Sequence, residues 1–186
     1  DLHLSIRRQR QMCIRDRYMN KIVFSVFVDN TSGVLSRVAG LFSRRGFNID
    51  SLTVSETERP VYSRMTIVSH GDDQVFDQIV KQLAKLEDVK EVKVLHPDSS
   101  VTRELILVKL KASQAERQGI IATSDIFRAK IVDVSSESLT VELTGNQTKI
   151  EAFLNLLGKE KILEMVRTGV TGLERGSKAR GEMWDD

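Results

Sequence analysis

Cysteine, proline and aromatic residues are all scarce in this chain. The one cysteine is Cys13, so there is no disulfide framework and no paired thiol for metal or redox work. That usage suits a reducing cytoplasm. No apolar run approaches the ~20 residues that a bilayer demands. The three histidines, His3, His70 and His96, are scattered, and none stands at metal-ligand spacing. A nucleophile elbow, a P-loop and a dinucleotide fingerprint are all missing. The glycines of Thr171–Lys178 have the wrong spacing for a phosphate loop, and no apolar helix follows them. A charge excess is lacking where it would matter. Residues 1–18 hold five arginines against two acids, and the rest of the chain carries 23 basic and 24 acidic residues. A near-neutral body has no pull toward phosphate backbones or anionic lipid, so neither nucleic acid nor membrane is an expected partner.

Residues 1–18, DLHLSIRRQRQMCIRDRY, show no periodicity and lack the apolar core of a signal peptide. They read as foreign or mis-assembled sequence ahead of Met19, with a native basic arm as the alternative. From Met19 the pattern becomes regular. Lys21–Asp29 is a strand with one apolar face (Ile22, Phe24, Val26, Val28) and one mixed face. A helix follows from Gly33 to Arg45, with Val34, Leu35, Val38, Leu41 and Phe42 in a stripe. Ser32 or Asn30 is placed to cap it, and Gly46 to end it. Strands are expected at Ile49–Glu56, Val61–Ser69 and Val89–Leu95, with a second helix between the last two. This is a βαββαβ unit of ferredoxin-like type over residues 19–96. Its sheet has a second, partly apolar face that a partner is expected to cover.

His96–Ser100 reads as a hinge. The pattern then repeats over residues 101–173. Strands are expected at Arg103–Ala112, Ala129–Val134, Ser138–Thr144 and Ile162–Val170, with helices at Gln114–Ile126 and Thr148–Leu157. The fold class is α+β, with two ferredoxin-like units. Residues 174–186 read as a disordered tail. Arg103, Arg128 and Arg167 read as surface charges.

The most informative stretch is Asp29–Val54. A polar turn opens a helix, which offers unpaired N–H groups and partial positive charge to a carboxylate. Gly33 lacks a β-carbon there, so an anion can approach the N–H groups of Gly33, Val34 and Leu35. Asn30 and Asn48 offer donors and acceptors without net charge. Val34, Leu35 and Ile49 can touch an aliphatic side chain. The set suits a free amino acid and holds nothing that makes or breaks a covalent bond. Each residue also has a plainer role. Asn30 serves as a turn or cap residue, Gly33 as a tight-turn glycine and Asn48 as a left-handed residue, while the three apolar residues serve as core. RNA-recognition modules share the element order, but they need stacked aromatics on the central strands. Aromatics are only 5% here.

Lys21–Leu95 resembles an ACT domain, a ferredoxin-like amino-acid sensor. The likeness extends further. NTSGVLSRVAGLFSRRGFNIDSLTV, SRMTIV at Ser63–Val68, RELILVKLKA at Arg103–Ala112, IFRAKIVDV and RTGVTGLERG together resemble the small, regulatory subunit of acetolactate synthase. That resemblance implies a non-catalytic subunit that activates a large catalytic subunit and confers feedback inhibition, usually by valine. It also implies a homodimer through ACT domains, with effector sites at the junction formed by Asn30, Gly33, Val34, Leu35, Asn48 and Ile49. Thiamine diphosphate, magnesium and FAD would belong to the catalytic partner. No Gly-Asp-Gly segment with a later Asn-Asn exists in this chain. The rival readings are an amino-acid-responsive transcription regulator, which would need a helix-turn-helix that is not seen, and an assembly subunit without sensing. The second unit is expected to dock the catalytic chain or to hold the dimer.

Overall fold

The computed structural model describes residues 20–176, so the reading of residues 1–18 and of most of the C-terminal tail falls outside the described residues. The chain divides into two compact units. One runs to Ser100 and takes in Glu174–Gly176; the other is Val101–Leu173.

The first unit begins with β1 (Asn20–Asp29), α1 (Val34–Arg45) and β2 (Ser51–Glu56). It continues with β3 (Tyr62–Gly71), α2 (Asp73–Leu83) and β4 (Val89–Leu95). The sheet order is β2-β3-β1-β4, and each pairing is antiparallel. β1 is central because its even-numbered residues build the core. Phe24, Val26 and Val28 pack with Met65 and Ile67 of β3 under Val38 and Phe42 of α1 and Ile79 and Leu83 of α2. Burying side chains of this size contributes about 1.5–3 kcal/mol each relative to exposure. Both helices therefore lie on one sheet face.

The two ends of α1 are made by glycine. Gly33 adopts φ 85° and Gly46 φ 70°. At Gly46 the chain closes in a Schellman-type turn, with Phe47 N–H donating to the Phe42 carbonyl at 3.0 Å. No side chain caps the start, contrary to the expectation for Ser32 or Asn30. By contrast Asp72 does cap α2, accepting from the Val75 N–H at 2.9 Å.

The second face of β1 also differs from expectation. Ser25, Phe27, Thr66 and Val68 are already buried in this chain. The Arg64 guanidinium sits 5.5 Å from the centre of the Phe27 ring and donates to Ser25 Oγ at 2.7 Å. Tyr62 leans on the same ring at 4.8 Å. Phe24 is in the core, so β1 and β3 do not present an open stacking platform of the kind RNA needs.

The second unit holds β5 (Ser100–Lys111), α3 (Arg117–Phe127), β6 (Lys130–Val134) and β7 (Ser138–Gly145). α4 (Gln147–Leu157), β8 (Ile162–Arg167) and β9 (Thr171–Glu174) complete it. Its sheet runs β6-β7-β5-β8, with β9 also paired to β5. Ile106, Val108 and Leu110 alternate into a core with Leu139, Val141, Leu143, Ile150 and Phe153. The element order is βαββαβ again, with β9 as an addition. Two details depart from the sequence reading. β5 already starts at Ser100, inside the expected hinge. Glu174 and Arg175 are held in place, with Glu174 paired to Lys93 at 3.2 Å and the Arg175 N–H donating to the Ser99 carbonyl at 2.7 Å.

Candidate functional site

The turn after β1 and the start of α1 form one end of the candidate site. Asn30 is fixed by three contacts. Its N–H donates to the Val61 carbonyl at 2.8 Å, and its Nδ2 donates to the Pro60 carbonyl at 2.8 Å and to Glu56 Oε1 at 3.3 Å. Both amide hydrogens are thereby spent on the protein, and Asn30 presents its oxygen. Its expected double role as donor and acceptor is narrowed to acceptor.

Gly33 stands at the helix start in a left-handed conformation. A β-carbon there would lie 2.9 Å from Nη1 of Arg37, one turn on. Arg37 is forked onto Asp88, Nε to Oδ2 at 2.6 Å and Nη2 to Oδ1 at 2.8 Å. That hydrogen bonding lowers the Asp88 pKa and raises that of Arg37. Nearby, Lys90 pairs with Asp29 at 2.7 Å. The outcome is a helix start with a cation held beside it, its Nη1 lying against the space that a Gly33 β-carbon would take. The Val34 N–H reaches the Thr31 carbonyl only at 3.5 Å, which is a weak bond. Such an end favours a carboxylate. Of its two expected roles Val34 takes the plainer one: its side chain is buried in the core, which leaves only its N–H to offer a ligand. Leu35 is 45% exposed and is available for aliphatic contact.

Asn48 and Ile49 stand at the other end of α1. Ile49 is half-buried against the core. The Asn48 carbonyl accepts from Ser69 Oγ at 2.6 Å, and its Nδ2 donates to Asp50 Oδ1 at 2.6 Å. Asp50 in turn meets Nδ1 of His70 at 2.9 Å through both oxygens. Asn48 therefore also turns its amide oxygen outward.

One chain does not bring the two ends together. Asn30 is tied to Val61 and Asn48 to Ser69, eight residues further along the same segment. At ~3.3 Å per residue that is about 26 Å. A free amino acid spans only a fraction of it.

Sequence reasoning did not single out Arg37, Asp50, His70 or Asp88. Arg37 lies one helical turn beyond Gly33, which was a usable signal. His70 joins Asp50 only through the β2–β3 register, which pairs Ser51 with Val68.

In the second unit a cavity of about 170 Å³ is lined by Arg103, Thr144, Gly145, Asn146 and Lys149. Its polar groups serve the fold: Lys149 Nζ donates to the Thr144 carbonyl at 3.2 Å and Asn146 caps α4. Arg167 is no bare surface charge, since it pairs with the largely buried Glu104 at 3.3 Å. Among the described residues, no three His, Cys, Asp or Glu side chains are grouped to hold a metal ion. No helix among them is long and apolar enough to cross a membrane.

Two families match the chain in tandem: "AHAS small subunit-like ACT domain" over residues 24–91 and "Small subunit of acetolactate synthase" over residues 103–176. A probable acetolactate synthase small subunit of Methanothermobacter thermautotrophicus is 54% identical over 157 residues, covering 84% of this chain and 94% of that protein. The small subunit of acetolactate synthase isozyme 3 of Escherichia coli is 48% identical, covering 84% and 96%. The crystal structure of the acetolactate synthase small subunit of Thermotoga maritima superposes with a TM-score of 0.78 at 42% identity, over 85% of this chain and 99% of that one. The chain belongs to the acetolactate synthase small-subunit family.

Proposed function

We propose that this chain is the regulatory partner of an acetolactate synthase catalytic subunit, which it activates and makes sensitive to valine. In this reading it works in the cytoplasm, carries no cofactor and no chemistry, and leaves thiamine diphosphate, magnesium and FAD to the catalytic chain. The observation that carries the sensing role is the pair of outward-facing amide oxygens, Asn30 and Asn48, at opposite ends of a helix whose start lacks a side-chain cap.

A second copy completes the site. β2 ends the strand order of its sheet. A twofold axis beside it would run the β2–α1 side of one copy antiparallel to the same side of the other. The start of β2, next to Asn48, would then face the end of the other copy's β2, where Glu56 meets Asn30. The effector's carboxylate would take the N–H groups at the start of α1, beside Arg37. Its ammonium would take the two amide oxygens. Leu35 and Ile49 would flank its side chain. A charge-assisted hydrogen bond contributes about 1.5–3 kcal/mol net. Regulatory couplings run to about 1–3 kcal/mol, so one or two such bonds, made in one dimer arrangement and not in another, suffice.

The test is to co-express the chain with its catalytic subunit, purify the pair and measure acetolactate formation with and without valine, leucine and isoleucine. Activity above that of the catalytic subunit alone, falling on addition of valine, is expected. A catalytic subunit that is neither retained nor altered by this chain would reject the reading. Activation without any amino-acid response would leave only the assembly role.

A further inference from the structure

We propose that Asp50 is a positioning residue that makes Asn48 an acceptor and so selects ligands bearing an ammonium group. The proposal rests on the reading of Asn48 as part of the effector site, and it assigns a polarity to that site.

An asparagine amide has two nearly isosteric ends, and what stands opposite decides which way it turns. Opposite Asn48 stands a carboxylate, which only accepts. The Nδ2–Oδ1 distance to Asp50 is 2.6 Å. The NH2 group must therefore face Asp50, and the amide oxygen must face away. Asn48 is also fixed at its backbone by Ser69 Oγ, so the residue is held at both ends.

Asp50 is anchored in turn. Its N–H donates to the Val68 carbonyl at 2.8 Å, continuing the β2–β3 ladder by one residue. His70 Nδ1 lies 2.9 Å from both carboxylate oxygens and holds the group in one rotamer. A group approaching Asn48 meets an amide oxygen, held in that orientation by Asp50. That oxygen accepts strongly from an ammonium, weakly from a hydroxyl, and repels an anion. An amino acid is thus oriented with its ammonium at Asn48 and its carboxylate at the α1 start.

The test uses the full chain, with calorimetric titration of valine and of its 2-hydroxy analogue, 2-hydroxy-3-methylbutanoate. The wild-type chain is expected to prefer valine by about tenfold or more, or about 1.4 kcal/mol. In Asp50→Ala valine affinity should fall by about tenfold while that of the hydroxy acid stays level, so the preference collapses. Asp50→Asn is isosteric, and its own amide oxygen can still accept from Asn48. It should keep most of the valine affinity if orientation is the cause. A loss in Asp50→Asn as large as in Asp50→Ala would overturn the positioning role. A wild-type chain that binds valine, with its preference unchanged in Asp50→Ala, would overturn this inference alone. A wild-type chain that binds neither compound would overturn the sensing function and this inference with it.

Discussion

Gly33 holds φ at 85°, and a β-carbon there would come within 2.9 Å of Arg37 Nη1. An L-residue in that conformation costs about 1–2 kcal/mol. Gly33→Ala should therefore lower unfolding stability by about that amount, read as a lower urea midpoint with an unchanged slope. Because Arg37 must also swing aside, the variant should respond to valine only at higher concentration. A midpoint equal to wild type would show that the turn can relax at no cost, and would remove the glycine requirement. The choice of Asn30, Gly33 and Asn48 as residues of interest was legible from their types and order. The direction in which the amides point was not. That depends on the Pro60 carbonyl and the Asp50 carboxylate standing opposite, and neither follows from composition or period. Arg37 and Asp88 are 51 positions apart, so their fork exists only after β1 and β4 pair.

Among the elements, α3 shows how a weak helix is started. Ser113 and Glu116 close a turn ahead of it, although no side chain caps the helix itself: the Ser113 N–H and Oγ both donate to Glu116 Oε2, at 3.1 and 2.7 Å. Together with Lys161 at 3.2 Å, they lower the Glu116 pKa from 4.5 to about 2. A carboxyl whose folded pKa is depressed stabilises the fold above its unfolded value. That contribution is lost as pH falls through the window from about 4.5 to about 2. Glu116→Gln keeps an acceptor for Ser113 but removes the charge. Its urea midpoint should lie below wild type at pH 7, and the gap should narrow steadily as pH falls from about 4.5 toward about 2. A gap that stays constant over this range would mean the charge is not what holds the helix start. The strands and helices with clear periods, such as β1, α1 and β7, were legible within a residue or two of their ends. β9 was not, because the four residues TGLE carry no alternation and become a strand only by pairing with β5. The burial of Phe27 was missed for a related reason. Its place on a mixed face suggested cover by a partner, whereas Arg64 and Tyr62, from the neighbouring strand, pack against it.

For the molecule as a whole, the two halves of the candidate site lie about 26 Å apart along one chain at strand spacing. The proposed sensor is therefore a property of two copies, and this has a consequence that a one-chain site would not share. Asn30→Ala and Asn48→Ala should each weaken both sites of a homodimer, since every site uses one residue from each copy. When the two variants are co-expressed with different affinity tags and the mixed dimer is isolated, the defects segregate. One site then carries both substitutions and the other carries neither. Calorimetry should give one valine per mixed dimer at the wild-type dissociation constant, against two per wild-type dimer. If Asn30 and Asn48 served a site within one chain, every site of the mixed dimer would hold one substitution and none would recover. A mixed dimer with no wild-type site would thus reject the shared site, even if each substitution alone weakened binding as expected.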